Sequence, residues 1–211
     1  MKNFQTFRSD PTGTIQAKWR TFSLEIKRIY SSFIAQMLCF IKGIHIGSNC
    51  SFYGIPLMRR YPRSKITVGN SVTFRSDMVS NLVGINRRCI IATHQEEASI
   101  EIGENSGLSG TVVGASQKIV IGKNVLCGAN VFITDFDWHN IDPELRRKPL
   151  QTLASPVLIE DNVWLGLNVI VLKGVTIGQN SVIGANSVVT KSIPANVIAA
   201  GNPCRVIKEL A

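Results

Sequence analysis

Three histidines, His45, His94 and His139, are the side chains of this chain that ordinarily exchange a proton near neutral pH. His139 alone stands in a polar setting. It lies in residues 135–156, DFDWHNIDPELRRKPLQTLASP, a polar interruption long enough to be a functional loop. An imidazole there is suited to act as a general base. Asp135 and Asp137 flank it with Trp138. Either carboxylate can accept from the other ring nitrogen and fix its tautomer, or serve as a solvated, acceptor-binding group. The sequence leaves both roles open. His45 and His94 read as structural.

The other reactive side chains point elsewhere. Cys39, Cys50, Cys89, Cys127 and Cys204 are scattered, odd in number and without a CxxC pair. That pattern reads as reduced thiols buried as small hydrophobes, not as a disulfide framework or a nucleophile. A catalytic zinc needs three protein ligands and an open position. No second histidine lies near His139, so no metal is expected to be required.

The elements that position these groups follow from composition and periodicity. The 211 residues, 45% hydrophobic and 18% charged, fit one folded domain or one core with an accessory segment. No apolar run reaches the roughly 18–20 residues that span a bilayer, and the N-terminal MKNFQTFRSDPTG lacks the apolar stretch of a signal peptide. The expected compartment is the cytoplasm. A net charge of +9 calls for an anionic partner: nucleic acid, an anionic membrane face or a phosphate-rich cofactor. The basic clusters Arg59-Arg60-Tyr-Pro-Arg63, Arg87-Arg88 and Arg146-Arg147-Lys148 match no nucleic-acid-binding motif, so no nucleic acid is expected.

A six-residue repeat decides the fold. Ile159, Leu165, Val171, Ile177, Ile183 and Val189 follow one another at six-residue steps, and Val163, Val169, Val175, Ser181, Ser187 and Ile193 stand four residues after each. Residues six apart fall about 120° out of phase on an α-helix, whereas in a strand the i+4 residue and the next i share a face. The Gly and Asn between them, as in Gly166-Leu-Asn168 and Gly184-Ala-Asn186, tolerate left-handed backbone angles. Each hexad is therefore a short strand and a bend, and repeated bends wind the chain into a coil with stacked aliphatics inside. Ile121, Cys127 and Ile133, with Asn124 and Asn130 at the bends, extend the pattern upstream.

Ahead of the repeat, Trp19, Phe22, Ile26, Ile29, Phe33, Met37 and Phe40 recur at three- and four-residue steps. They define a basic amphipathic helical segment within residues 1–43, expected to cap the open end of the coil. Docking on a membrane surface is the second reading. Residues 44–211 form the β-helical domain.

The segments Glu160-Asp-Asn-Val-Trp164-Leu-Gly166 and Val189-Thr-Lys191-Ser-Ile-Pro-Ala-Asn-Val-Ile-Ala199-Ala-Gly-Asn-Pro-Cys-Arg205-Val-Ile-Lys208, with His139-Asn-Ile-Asp-Pro-Glu-Leu-Arg146, resemble signatures of the hexapeptide-repeat acetyltransferases of the maltose, galactoside and nodulation-factor type. The resemblance is strong over roughly residues 100–210. It implies an all-β, left-handed parallel β-helix of about three hexads per turn, a homotrimer, and acetyl-CoA bound between neighbouring subunits. It also implies that His139 is the base, that Trp164, Leu167 and Ala185 line the pantetheine channel with Thr190 and Lys191 following, and that Lys191, Arg205 and Lys208 meet the nucleotide phosphates. The activity so implied is O-acetylation of a saccharide, a surface-polysaccharide unit or a soluble sugar. N-acetylation of an amino-sugar nucleotide and a non-catalytic trimeric scaffold are the alternatives. The acceptor-binding residues of the family's N-terminal module have no counterparts here. Around Leu108, Ser109 and Gly110 the family's polar asparagine is also missing, which leaves the acceptor open.

Overall fold

The computed structural model describes residues 9–147 and 153–210. Lys148 and part of the 135–156 loop lie outside the described residues. Among the described residues, helix α1 (Pro11–Ile41) precedes twenty strands, from β1 (His45–Ile46) to β20 (Cys204–Glu209). From β1 to β18 (Val188–Val189) every third strand joins the same sheet, giving three sheets, here A, B and C, of six, eight and six strands. The pairings are parallel, except for the antiparallel hairpin of β19 (Val197–Gly201) and β20 that ends sheet B. The chain thus winds as a three-sided coil.

The hexads set the register. Ile159 pairs with Ile177, Leu165 with Ile183 and Val171 with Val189, so one turn of the coil is three hexads. All six are fully buried, and removing each such side chain from water contributes about 1.5–3 kcal/mol. The bends are the asparagines: Asn124, Asn130, Asn162, Asn168, Asn180 and Asn186 hold φ between 55° and 61°, where Asn is among the least costly non-glycine residues. Their side chains also form a ladder along the coil, Asn162 donating to Asn180 at 3.0 Å and Asn168 to Asn186 at 3.1 Å. Among the inward positions of the hexads from Ile159 to Ile193, the two polar ones are satisfied. Ser181 donates to the Pro194 carbonyl at 2.8 Å, and Ser187 donates to that of Gly184 at 2.6 Å.

Helix α1 closes the N-terminal end of the coil. Asp10 caps it by accepting from the Gly13 N–H at 2.9 Å, with Pro11 in the first turn. In β2 (Ser51–Tyr53) and the residue after it, the Phe52 and Gly54 N–H groups have no preceding coil to meet. They donate instead to Ser32 Oγ at 3.0 Å and Ser31 Oγ at 3.2 Å, and Ala35 and Cys39 enter the core beside them. The expected cap is present, but the helix is turned over. Its small, polar face meets the coil, and Trp19, Phe22, Ile26, Ile29, Phe33, Met37 and Phe40 are all exposed. Close approach of a helix to edge-strand N–H groups requires small side chains and hydroxyl acceptors, which the aromatic stripe does not provide.

Candidate active site

The His139 loop leaves the coil after β12 (Phe132–Thr134) in sheet C and returns at β13 (Val157–Ile159) in sheet A. It occupies one corner of the prism, and the coil closes beneath it: Asn124 still donates to Asn162, 38 residues on, at 3.1 Å. The two ends of the loop are pinned together. Phe136 forms an antiparallel bridge with Ala154, the Ser155 N–H donates to the Asp135 carbonyl at 2.8 Å, and the Gly174 N–H donates to that of Ser155 at 2.9 Å. At Gly174 (φ 74°), which takes the place of the usual bend asparagine, a Cβ would stand 3.3 Å from that of Ser155.

Asp135 is fully buried, and its carboxylate accepts three backbone N–H bonds, from Ser116 at 2.7 Å, Gln117 at 2.8 Å and Lys118 at 2.6 Å. Burial pushes its carboxyl above the ordinary range, opposed by those donors. Both oxygens are committed to the bend at 116–118, so Asp135 holds the loop stem to the coil. Asp135→Asn keeps the shape but turns one acceptor into a donor facing an N–H. The expected cost is about 1–3 kcal/mol, a fall in Tm of roughly 2–12 °C by thermal denaturation. Asp137 forms an ion pair with Lys173, whose ammonium also reaches the Leu153 carbonyl at 3.4 Å. Neither aspartate hydrogen-bonds to His139. Among the described residues, the imidazole has no hydrogen-bond or ion-pair partner and is exposed.

What fixes His139 is its backbone on both sides. Trp138 packs on Phe136 with ring centroids 4.8 Å apart and edge-on to His94 at 5.0 Å. It lies over Gly114, where a Cβ would come within 3.0 Å of the indole. On the other side Arg146 donates to the Asn140 carbonyl at 3.2 Å and the Ile141 carbonyl at 2.9 Å. His94 is the structural member of this cluster. Burial holds it below its ordinary value, with Arg59 acting in the same direction and Asp135 against it, and its buried Nε2 has no hydrogen-bond partner among the described residues. Lys173, Gly114 and Arg146 were missed as supports of the loop; the one signal available was Gly174 standing where the neighbouring hexads carry Asn.

The residues expected on the cofactor side are exposed or half-buried. They divide between one sheet and two corners. Leu126, Trp164, Val182, Ile198 and Lys208 follow one another in register across the outer face of sheet B. Trp164 is 53% exposed, so this row is an apolar strip ending in a cation. Leu167 and Ala185 occupy successive bends between sheets B and C, and Thr190 and Lys191 the bend from C to A, on the corner that carries the His139 loop. Arg205 stands opposite Ala200 in the terminal hairpin. In a single chain, sheet C separates His139 from the Leu167 and Ala185 bends. The five cysteines are buried and unpaired, burial pushing Cys39 up to about 11 and Cys127 up to about 12, which suits packing and not nucleophilic attack.

Residues 156–191 match the family model described as the hexapeptide repeat of succinyl-transferase. A crystallised polysialic acid O-acetyltransferase superposes with a TM-score of 0.65 at 26% identity, over 79% of this chain and 74% of that one. The fold is the left-handed hexapeptide-repeat β-helix. A hexapeptide-repeat acetyltransferase of Vibrio cholerae, solved with acetyl coenzyme A, shares 36% identity over 53% of this chain and 61% of that one, with a TM-score of 0.50. In sequence, a galactoside O-acetyltransferase of Escherichia coli is 45% identical over 115 residues, 54% of this chain and 55% of that protein. The chain thus matches about half the length of the relatives of that name.

Proposed function

We propose that this chain transfers acetyl from acetyl-CoA to a hydroxyl of a saccharide, with His139 as general base, in a homotrimer whose cofactor crevices lie between subunits. The observation that carries the reading is His139 itself: an exposed imidazole without a partner among the described residues, on a loop braced at both ends. Its lone pair is free for a substrate proton. The similarity to a galactoside O-acetyltransferase supports a sugar hydroxyl as the acceptor.

Acetyl-CoA supplies an acyl group activated as a thioester. His139 takes the proton of the acceptor hydroxyl as that oxygen bonds to the acyl carbon, and returns it to the sulfur when the carbon–sulfur bond breaks. The products are an acetyl ester and a free thiol. Asp135 and Asp137 act as positioning residues, one through the bend at 116–118 and the other through Lys173. The apolar row of Trp164, Val182 and Ile198 suits a pantetheine arm, and Lys191, Arg205 and Lys208 suit phosphates. Because sheet C keeps His139 apart from Leu167 and Ala185 in one chain, a neighbouring subunit completes the site.

Removing one phosphate partner, by Lys191→Ala or Arg205→Ala, is expected to weaken acetyl-CoA binding by about 1–3 kcal/mol. Binding of a short thioester without the nucleotide should change far less. Calorimetry with both ligands checks this, and equal losses would assign these cations another role. Sedimentation of the unaltered chain as a stable monomer would count against the shared site.

A further inference from the structure

The side of α1 turned away from the coil is apolar along its whole length. At 100° per residue, Trp19, Phe22, Ile26, Phe33, Met37 and Phe40 fall in an arc of about 60°, opposite Ser31, Ala35 and Cys39. All six are 46–85% exposed. Single exposed apolar residues are ordinary, but a continuous aromatic stripe on one helix marks an interaction surface. Since Ser31 and Ser32 meet the outward N–H groups of the first coil, this stripe looks along the coil axis, away from the body. Subunits packed side by side through their sheets would leave it uncovered.

The charge of the molecule is gathered at the same end. The described residues up to 90, 9–90, hold 12 of the 23 Lys and Arg but only 3 of the 14 Asp and Glu, a net +9, whereas residues 91–211 carry −2. The positive balance therefore lies mainly on α1 and the first coils, not on the C-terminal tail. Lys18, Arg59, Lys65 and Arg88 are among its exposed cations. No helix among the described residues is long and apolar enough to cross a membrane. Within α1, Lys27 pairs with Asp77, Arg28 with Glu25 and Arg20 with the Val79 carbonyl. Lys18 and the exposed cations of the first coils suit a helix lying in the plane of the interface, its apolar side among the acyl chains and those cations at the headgroups.

We propose that α1 docks this protein on an anionic membrane surface, the stripe from Trp19 to Phe40 entering the interface and the basic first coils facing the headgroups. A second copy seated end to end is the competing occupant, but it would bring two +9 ends together, whereas an anionic surface complements them. The surface stands independently of the chemistry at His139.

Flotation of the full chain with vesicles tests it, using phosphatidylcholine alone and phosphatidylcholine mixed with phosphatidylglycerol. Partition onto the mixed vesicles is expected to be at least about tenfold greater and to fall as salt is raised. The Phe22→Asp/Phe33→Asp variant should lose it, with Tm and acetylation of a soluble acceptor unchanged, since both side chains are exposed and far from the His139 loop. Trp19 emission should shift to the blue on the mixed vesicles, and Trp19→Phe should remove that shift. Equal partition onto both vesicles, no partition at all, or partition that survives Phe22→Asp/Phe33→Asp would overturn the proposal. Absence of vesicle binding with salt-strengthened self-association, abolished by Phe33→Asp, would assign the stripe to a second copy.

Discussion

His139→Ala is expected to lower kcat by roughly 10²- to 10⁴-fold, the range a positioned general base contributes, while acetyl-CoA affinity stays within about tenfold because a base acts in the transition state. The size follows from the site. His139 has no partner among the described residues, and the two loop carboxylates before it are committed elsewhere: Asp135 to three N–H groups, Asp137 to Lys173. No neighbour is poised to take over the proton. Tm should move little, because an exposed loop side chain contributes little to stability, usually within about 0.5 kcal/mol. Steady-state kinetics on an acetylated acceptor, with calorimetry for acetyl-CoA, measures both halves. A variant turning over at a near-normal rate would remove His139 from the chemistry.

The second large effect is on the fold. Ile177→Asp places a carboxylate in the stacked column between Ile159 and the bridge to Ile193, at a position with no exposed surface. Losing the aliphatic side chain costs about 2–5 kcal/mol, and leaving a buried charge unpaired adds several more. That is comparable with the whole stability of an ordinary domain, about 5–15 kcal/mol, so soluble folded protein should largely disappear. The outward neighbour provides the control. Thr176→Asp changes a half-exposed residue on the other face of the same strand and should cost less than about 1 kcal/mol. Any folded Ile177→Asp protein should gain stability as pH falls. Burial raises the new carboxyl's folded pKa above its unfolded value, so the penalty grows as pH rises through that window and lessens as the group is protonated. Denaturation of the two variants side by side, at neutral and mildly acidic pH, reads this directly.

The coil was legible in the sequence because each hexad states its own geometry. An aliphatic at i and a small residue at i+4 fix the inward face, and the asparagine between them fixes the bend by tolerating φ near 60°. Those signals are local, and they carried from Ile121 to Val189 without knowledge of the rest. His139 was legible for the complementary reason, as the histidine standing where the repeat stops. The orientation of α1 was not. Periodicity shows that Trp19 to Phe40 share a face but not what that face meets. The deciding contacts, Phe52 and Gly54 N–H groups on Ser32 and Ser31, join residues 20 and 23 positions apart. The division of labour between the aspartates was hidden in the same way. Only the fold shows that Asp135 meets the bend at 116–118 and Asp137 meets Lys173, 36 residues on. The +9 charge was legible as a total, but its gathering at the capped end acquires meaning only with the helix turned over.

The most direct test of acetyl transfer by His139 is thiol release from acetyl-CoA by the unaltered chain across a panel of sugars, oligosaccharides and nucleotide sugars, with His139→Ala alongside. The predicted result is release that depends on a saccharide acceptor, an acetyl ester on the product that hydroxylamine cleaves, and loss of both in His139→Ala. Release that no acceptor raises above the rate of thioester hydrolysis, or an equal rate with and without His139, would contradict it.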